Sequence, residues 1–299
     1  MTLQQLKYVV TVAECGNITE AAKQLFVSQP TVTSAIHDLE KEMQIVIFVR
    51  TNKGVILSED GERFLGHARQ VLEQVDLIEG IYKNDVVSKP HFAVSCQHYS
   101  FAVNAFVDVI RRFDAYQYDF TIREEQTHEI IEDVTNLKSE LGVIYLSSKN
   151  TEVLSKMLKR NELEFTELFT ATPHVFICDS HPLAKKKSIT MEDLQDYPYL
   201  TYEQGEYNSQ YFSEEFVSTL DSRKNIRVRD RATLFNLIIG LNGYTVCSGV
   251  ISAELNGRNI ISKPLDVEEY MRIGIITRKG VVLSRYAREY IEALKAHCM

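Results

Sequence analysis

The chain has 299 residues, 44% of them hydrophobic and 25% charged, a balance that fits a globular protein of roughly two domains and excludes disordered, collagen-like and disulfide-stapled small proteins. No apolar run approaches the ~20 residues of a membrane span, and Glu14 and Glu20 interrupt the stretch where a signal peptide would be apolar, so a cytoplasmic protein without membrane contact is expected. The 33 bases against 41 acids leave a net charge of −8, and any contact with a polyanion must therefore come from a local patch.

In chain order, Thr2 and Gln5 form a capping-box pattern ahead of Leu3, Leu6, Val10 and Ala13, which recur at helical spacing up to Gly16. Asn17 and Glu20 repeat the pattern and open a short helix with Ala21, Ala22 and Leu25 inward. Phe26–Val27–Ser28 then reads as a tight turn. Pro30 suits the first turn of a third helix, whose stripe is Val32, Ile36, Leu39 and Met43. Two short helices on a tight turn, the second with small polar residues on its outer face, predict a helix-turn-helix. The β-prone runs Ile45–Phe48 and Val55–Leu57 around Thr51–Gly54 predict a two-stranded wing, with Arg50 and Lys53 at its tip.

Ser58 can cap a long helix whose first turn carries Glu59, Asp60 and Glu62. Phe64, Ala68, Val71, Val75, Ile78 and Tyr82 recur along it at alternating spacings of four and three, a seam for pairing with another helix, so a homodimer is expected. Beyond Pro90 the pattern becomes strand His91–Cys96, helix Ser100–Phe113, strand Asp119–Glu124, helix His128–Leu137 and strand Leu141–Tyr145, which argues for a parallel sheet. A second series follows, with strands at Val175–Cys178, Tyr199–Tyr202, Ile226–Arg229, Tyr244–Cys247 and Ile260–Ile261 and helices at Ser209–Leu220 and Arg231–Asn242. Strand Met271–Thr277 and helix Leu283–Ala296 return to the first sheet. The expected fold class is mixed α+β and α/β: an N-terminal winged helix-turn-helix, a long linker helix, and two α/β lobes with ligands at the strand carboxyl ends.

Leu25-Phe26-Val27-Ser28-Gln29-Pro30-Thr31-Val32-Thr33, then Leu39-Glu40, Phe48-Val49-Arg50 and Leu57-Ser58-Glu59-Asp60-Gly61 resemble the LysR-type transcriptional regulators in order and spacing, as do Ala21-Ala22 upstream. The resemblance extends over the whole chain through His181-Pro182-Leu183-Ala184 and the strand–helix order, which looks like the family's effector-binding domain, itself similar to periplasmic solute-binding proteins. Ser95-Cys96-Gln97-His98-Tyr99 and Asp230-Arg231-Ala232-Thr233-Leu234 resemble a Gram-positive subgroup tied to sulfur amino-acid control. Gln44 departs from the family pattern, standing where glycine is common after the recognition helix, and Asn17-Ile18 replaces Ser-Phe.

The implied organisation is a DNA-binding domain over 1–58, a dimerisation helix over 59–89 and a regulatory domain over 90–299, with lobe I at 90–162 and 265–299 and lobe II at 163–264. The implied function is regulation of transcription by a homodimer, or a dimer of dimers, that binds double-stranded DNA and a small effector, with RNA polymerase a further candidate partner. On the DNA side Ser28, Gln29, Pro30, Thr31, Thr33, Ser34 and His37 stand at the start of the third helix. Gln can pair bidentately with adenine and Thr methyls can meet thymine methyls, while Arg50 and Lys53 would hold phosphates. Residues 1–58 balance five bases against five acids, so affinity should depend on salt and on avidity.

For the effector the resemblance points to strand-end loops: Gln97, His98, Tyr99 and Ser100, then Thr127, Thr201, Tyr202, Cys247 and Ser248. The opening turns of helices at Ser100 and Thr127 could hold a carboxylate. Each Ser or Thr taken singly is as well explained as a helix cap. His98, His128, Glu124 and Glu125 lack the spacing of a helical metal motif, so no metal and no resident cofactor is expected. The five cysteines, Cys15, Cys96, Cys178, Cys247 and Cys298, form no Cys-x-x-Cys pair and read as reduced thiols, mostly buried, with a redox pair of Cys96 and Cys247 as the alternative. A solute-binding protein is the rival reading for the C-terminal part. No nucleophile, phosphate-loop or metalloprotease motif points to an enzyme.

Overall fold

The computed structural model describes residues 1–51, 54–82, 90–113, 117–205, 211–215, 223–251 and 257–298. It divides into two units, Met1–Pro90 with Asn136–Lys138, and His91–Thr135 with Ser139–Met299. Lys53, most of the helix expected at Ser209–Leu220, and the side chains of Tyr82 and Cys298 lie outside the described residues.

In the first unit α1 (Leu3–Cys15), α2 (Ile18–Gln24) and α3 (Gln29–Met43) start where their caps dictate. Thr2 and Gln5 form the reciprocal box, with Gln5 N–H donating to Thr2 Oγ1 at 3.2 Å and Thr2 N–H to Gln5 Oε1 at 2.8 Å. Asn17 Oδ1 accepts from the amides of Thr19 and Glu20, while the Glu20 carboxylate is engaged by Lys23. Val9, Val12, Ala21, Val32 and Leu39 are fully buried together with Ile47. Leu3, the first residue of the α1 pattern, and Met43, the last of the α3 stripe, are exposed, so each apolar face is shorter than its spacing predicts. The wing is β1 (Phe48–Thr51) against β2 (Gly54–Leu57), antiparallel, with Thr51 opposite Gly54.

α4 (Glu59–Tyr82) begins at Ser58, whose hydroxyl accepts from Gly61 N–H at 2.9 Å. A Cβ on Gly61 would lie 2.1 Å from Ile47 O, so only glycine lets the helix pass this close to the wing's root. Leu65 packs into the core of the three helices and Ala68 is buried, whereas Val71 and Ile78 of the predicted seam are exposed and Phe64 and Val75 half-buried.

In the second unit β3 (His91–Cys96), α5 (Ser100–Phe113), β4 (Asp119–Glu124), α6 (Thr127–Thr135) and β5 (Leu141–Leu146) build the expected parallel arrangement. α7 (Thr151–Arg160) and β6 (Leu163–Ala171) were not anticipated. β6 pairs antiparallel with β12 (Met271–Arg278) to give a five-stranded sheet in the order β4-β3-β5-β12-β6. The strands of lobe I therefore extend to Ala171, nine residues past the expected division at 162. The mixed burial of β6, with Glu164, Thr166, Glu167 and Thr170 exposed, hides it from a reading that looks for continuous apolar runs. The final helix, α9 (Arg285–Cys298), packs its buried Tyr286, Tyr290 and Leu294 into the same core as Phe92 and Val94.

Beyond β6 come β7 (His174–Cys178), β8 (Tyr199–Tyr202), β9 (Asn225–Val228), α8 (Arg231–Leu241), β10 (Thr245–Cys247) and β11 (Ile260–Pro264). β7 lies between β10 and β11, antiparallel to both, and β8 pairs in parallel with β9. Of the helix expected over Ser209–Leu220, the described residues Tyr211–Glu215 form a turn and a bend.

Candidate functional site

Two groups of residues carry chemistry. The first is the opening of α3. Ser28 caps it through its hydroxyl, which accepts from Thr31 N–H at 3.3 Å and lies 2.7 Å from Thr31 Oγ1. Gln29 Nε2 donates to Thr33 Oγ1 at 2.7 Å. Ser28, Gln29, Pro30, Thr31, Ser34 and His37 are exposed, Thr33 is half-buried, and Arg50 is exposed on β1. Capping thus occupies Ser28 and Thr31 without removing them from the surface. Val32, Ile36 and Leu39 anchor the opposite side of the helix, which leaves this edge facing outward. Glu40 ties helix to wing, its Oε1 accepting from the amides of Ile47 at 2.7 Å and Phe48 at 3.1 Å.

The second group surrounds a cavity in the C-terminal unit. Of the predicted effector residues, His98, Tyr99, Ser100, Tyr202, Cys247 and Ser248 line it, while Gln97, Thr127 and Thr201 do not. Gln97 is fully buried and spent on the fold: its Oε1 accepts from Tyr145 N–H at 3.0 Å and Tyr99 OH at 3.1 Å, and its Nε2 donates to Thr127 Oγ1 at 2.7 Å. Thr127 is likewise committed, its hydroxyl donating to Phe212 O and its amide to Gln204 Oε1. The opening of α6 is therefore not a free anion seat. The Ser100 hydroxyl points at Val250 O at 3.5 Å.

Sequence reasoning missed Glu214 and Glu215. Glu214 Oε2 accepts from His98 N–H at 3.0 Å and sits 2.8 Å from His98 Nδ1, and Glu214 Oε1 accepts from Gln204 Nε2 at 3.2 Å. The other imidazole nitrogen lies 3.1 Å from Arg229 O, and the ring stacks on Tyr202 at 3.8 Å. Burial alone would lower the His98 pKa, but the Glu214 charge and its hydrogen bond override this and raise it. With an acceptor at each ring nitrogen, the imidazolium is the satisfied form. Glu215 accepts from Tyr202 N–H at 2.7 Å and from the Ser213 hydroxyl at 2.9 Å. Burial, with adjacent Glu214 second, pushes its carboxyl up to about 8. Two neighbouring acids in a polar stretch look like a solvated surface, and nothing in their spacing marks them as buried.

Arg231, at the start of α8, pairs through Nη2 with Glu124 Oε1 at 3.0 Å, while its buried Nη1 has no hydrogen-bond partner among the described residues. Thr245 Oγ1, which also lines the cavity, is buried and likewise has no partner among the described residues. The Asp230 that precedes Arg231 caps α8 by accepting from Thr233 N–H at 2.8 Å. Cys96 is fully buried, and burial raises its thiol pKa and that of Cys247. The thiolate, which is the reactive form, is disfavoured at both. Among the described residues no three His, Cys, Asp or Glu side chains converge as a metal site would require, and no helix is long and apolar enough to cross a membrane.

Comparison with known proteins accords with this geometry. Residues 3–62 match the family described as bacterial regulatory helix-turn-helix protein, lysR family, and residues 96–299 match the LysR substrate binding domain. The uncharacterized HTH-type transcriptional regulator YbhD of Escherichia coli K12 is 27% identical over 98% of this chain and 90% of its own length. Among solved structures, full-length OxyR from Pseudomonas aeruginosa, carrying a Cys-to-Asp substitution, has a TM-score of 0.65 at 21% identity, covering 99% of this chain and 95% of that one. Full-length CbnR complexed with its target DNA has a TM-score of 0.58 at 18% identity, covering 99% and 100%.

Proposed function

This chain belongs to the LysR family of helix-turn-helix transcriptional regulators, and from that membership we propose that it reads a specific operator through the start of α3 as a homo-oligomer and responds to a small metabolite bound in its C-terminal cavity. The observation that carries the reading is the opening of α3, where exposed Gln29, Thr31, Ser34 and His37 stand opposite a fully buried Val32 and Leu39. Such an edge offers amide, hydroxyl and imidazole groups to base edges in a major groove. Arg50 on the wing supplies a phosphate contact beside it. CbnR, which shares the fold, is known in complex with its target DNA.

Exposed Val71 and Ile78 on α4 are the surface through which a second copy would pair. Two heads at a fixed separation read an interrupted palindrome, and doubling the contacts compensates for a head whose bases and acids cancel. The C-terminal cavity is the effector site, with amino-acid and sulfur metabolism the classes to screen first. An effector shifts the equilibrium between two arrangements only if it binds them unequally. The redox alternative has less support, because burial keeps both Cys96 and Cys247 as thiols.

The test is to incubate the full chain with fragmented genomic DNA of its source at two salt concentrations and sequence what is retained. Enrichment of a few interrupted palindromes, weakening as salt rises, is expected. Retention without sequence preference, or none at either salt with and without candidate metabolites, overturns the reading.

A further inference from the structure

The cavity assigned to the effector is already occupied by the chain itself. It leaves a free volume of only about 30 Å³, room for a few waters. One anion seat in its wall, the amide and imidazole of His98 just ahead of α5, holds the Glu214 carboxylate. Gln204 supplies a third donor from the other side. Yet two polar atoms of residues that line the cavity, Arg231 Nη1 and the Oγ1 of almost fully buried Thr245, have no partner among the described residues. Leaving buried donors unsatisfied is costly, and a cavity that does so is incomplete without an occupant.

We infer that Glu214 is an internal stand-in for the effector: its carboxylate keeps the seat of a small organic acid, which enters by displacing Glu214 and also satisfies Arg231 and Thr245. This rests on the effector reading above and adds the ligand class and the competitor. A carboxylate competing with a tethered one faces a high effective concentration, so the wild-type cavity selects acids that bring the second polar group Arg231 and Thr245 can meet. A simple monocarboxylate replaces three hydrogen bonds by the same three and gains nothing.

The proposal predicts chemical rescue. Glu214→Ala removes the two carbons of an acetate ion and leaves the His98 and Gln204 donors without their acceptor. In the full-length protein, sodium acetate should raise the Tm of Glu214→Ala by roughly 2–4 °C. Sodium chloride at the same ionic strength and neutral acetamide should not, and wild type should not respond to acetate. An equal response in wild type and variant, or none in the variant, overturns the proposal. Should Glu214→Ala fail to fold, Glu214→Gln keeps the shape and removes the charge. There the His98 ring, followed by NMR, should titrate at a lower pH than in wild type, and an unchanged midpoint overturns the contact on which the argument rests. Neither assay contains DNA, so their failure leaves the operator reading standing, and failure of DNA retention leaves the seat standing.

Discussion

The helix-turn-helix head and the C-terminal cavity treat polar side chains in opposite ways. In the head, Ser28, Gln29, Thr31, Ser34 and His37 lie on the surface, and their hydrogen bonds are to near neighbours on the same helix turn. Around the cavity, Gln97, Thr127, Gln204, Glu214 and Glu215 are buried, and the network joins residues far apart along the chain, such as His98 with Glu214 and Thr127 with Gln204. The two regions therefore meet a partner at different cost. A surface edge of α3 exchanges water for base edges, whereas a ligand of the cavity must compete with bonds already made.

The largest effect should come from setting a charge where the head faces DNA. Ser34→Glu should weaken specific operator retention on the order of 100-fold, since an anion then stands beside phosphates and base acceptors. Circular dichroism should stay as in wild type because Ser34 is exposed. Unaltered retention would take this edge of α3 out of the groove.

Next comes the buried network. Gln97→Ala removes the acceptor of Tyr145 N–H and Tyr99 OH and the donor to Thr127. It should cost roughly 2–4 kcal/mol in urea unfolding, and a cost below about 0.5 kcal/mol would show that Gln97 does not hold the Tyr99, Thr127 and Tyr145 network together. Ser34→Glu thus weakens binding with little loss of stability, whereas Gln97→Ala loses stability first.

A third test reads protons. Glu215 carries a carboxyl pushed up to about 8 against an ordinary value of 4.5. Between these values the folded chain holds a proton that the unfolded chain has released, so stability should fall as pH rises from about 4.5 to 8. His98, also raised, acts with the same sign: its contribution is full below its ordinary value of 6.5 and is lost as pH rises through the folded value. Glu215→Gln mimics the protonated acid and should flatten the slope of Tm against pH. A slope as steep as wild type would place the titration elsewhere.

The smallest effect returns to the head. Gln44 ends α3 at φ 57°, a conformation easier for glycine. Gln44→Gly should stabilise the chain by about 1 kcal/mol, measurable as a higher urea midpoint, and a lower midpoint would mean that the Gln44 side chain contributes more than its backbone strain costs. Phe26, at φ 55° and 95% exposed in the turn before α3, bears the same kind of strain.

By itself the sequence determined what is local. Caps at Thr2, Asn17, Ser28, Ser58 and Asp230, the turn at Phe26–Ser28 and the Val32, Ile36, Leu39 stripe are written within a few residues of where they act, because helix ends and amphipathic faces depend on near neighbours. The strand–helix alternation after Pro90 was legible for the same reason, as were the strand-end positions of His98, Tyr99 and Tyr202. Tertiary structure alone decided which polar groups converge. It seats β6 beside β12 across about a hundred residues of chain, commits Gln97 and Thr127 to the fold, and carries Glu214 to His98. Those outcomes depend on burial and on pairing between distant segments, and a carboxylate's cost of desolvation is met only by donors that no spacing along the chain reveals.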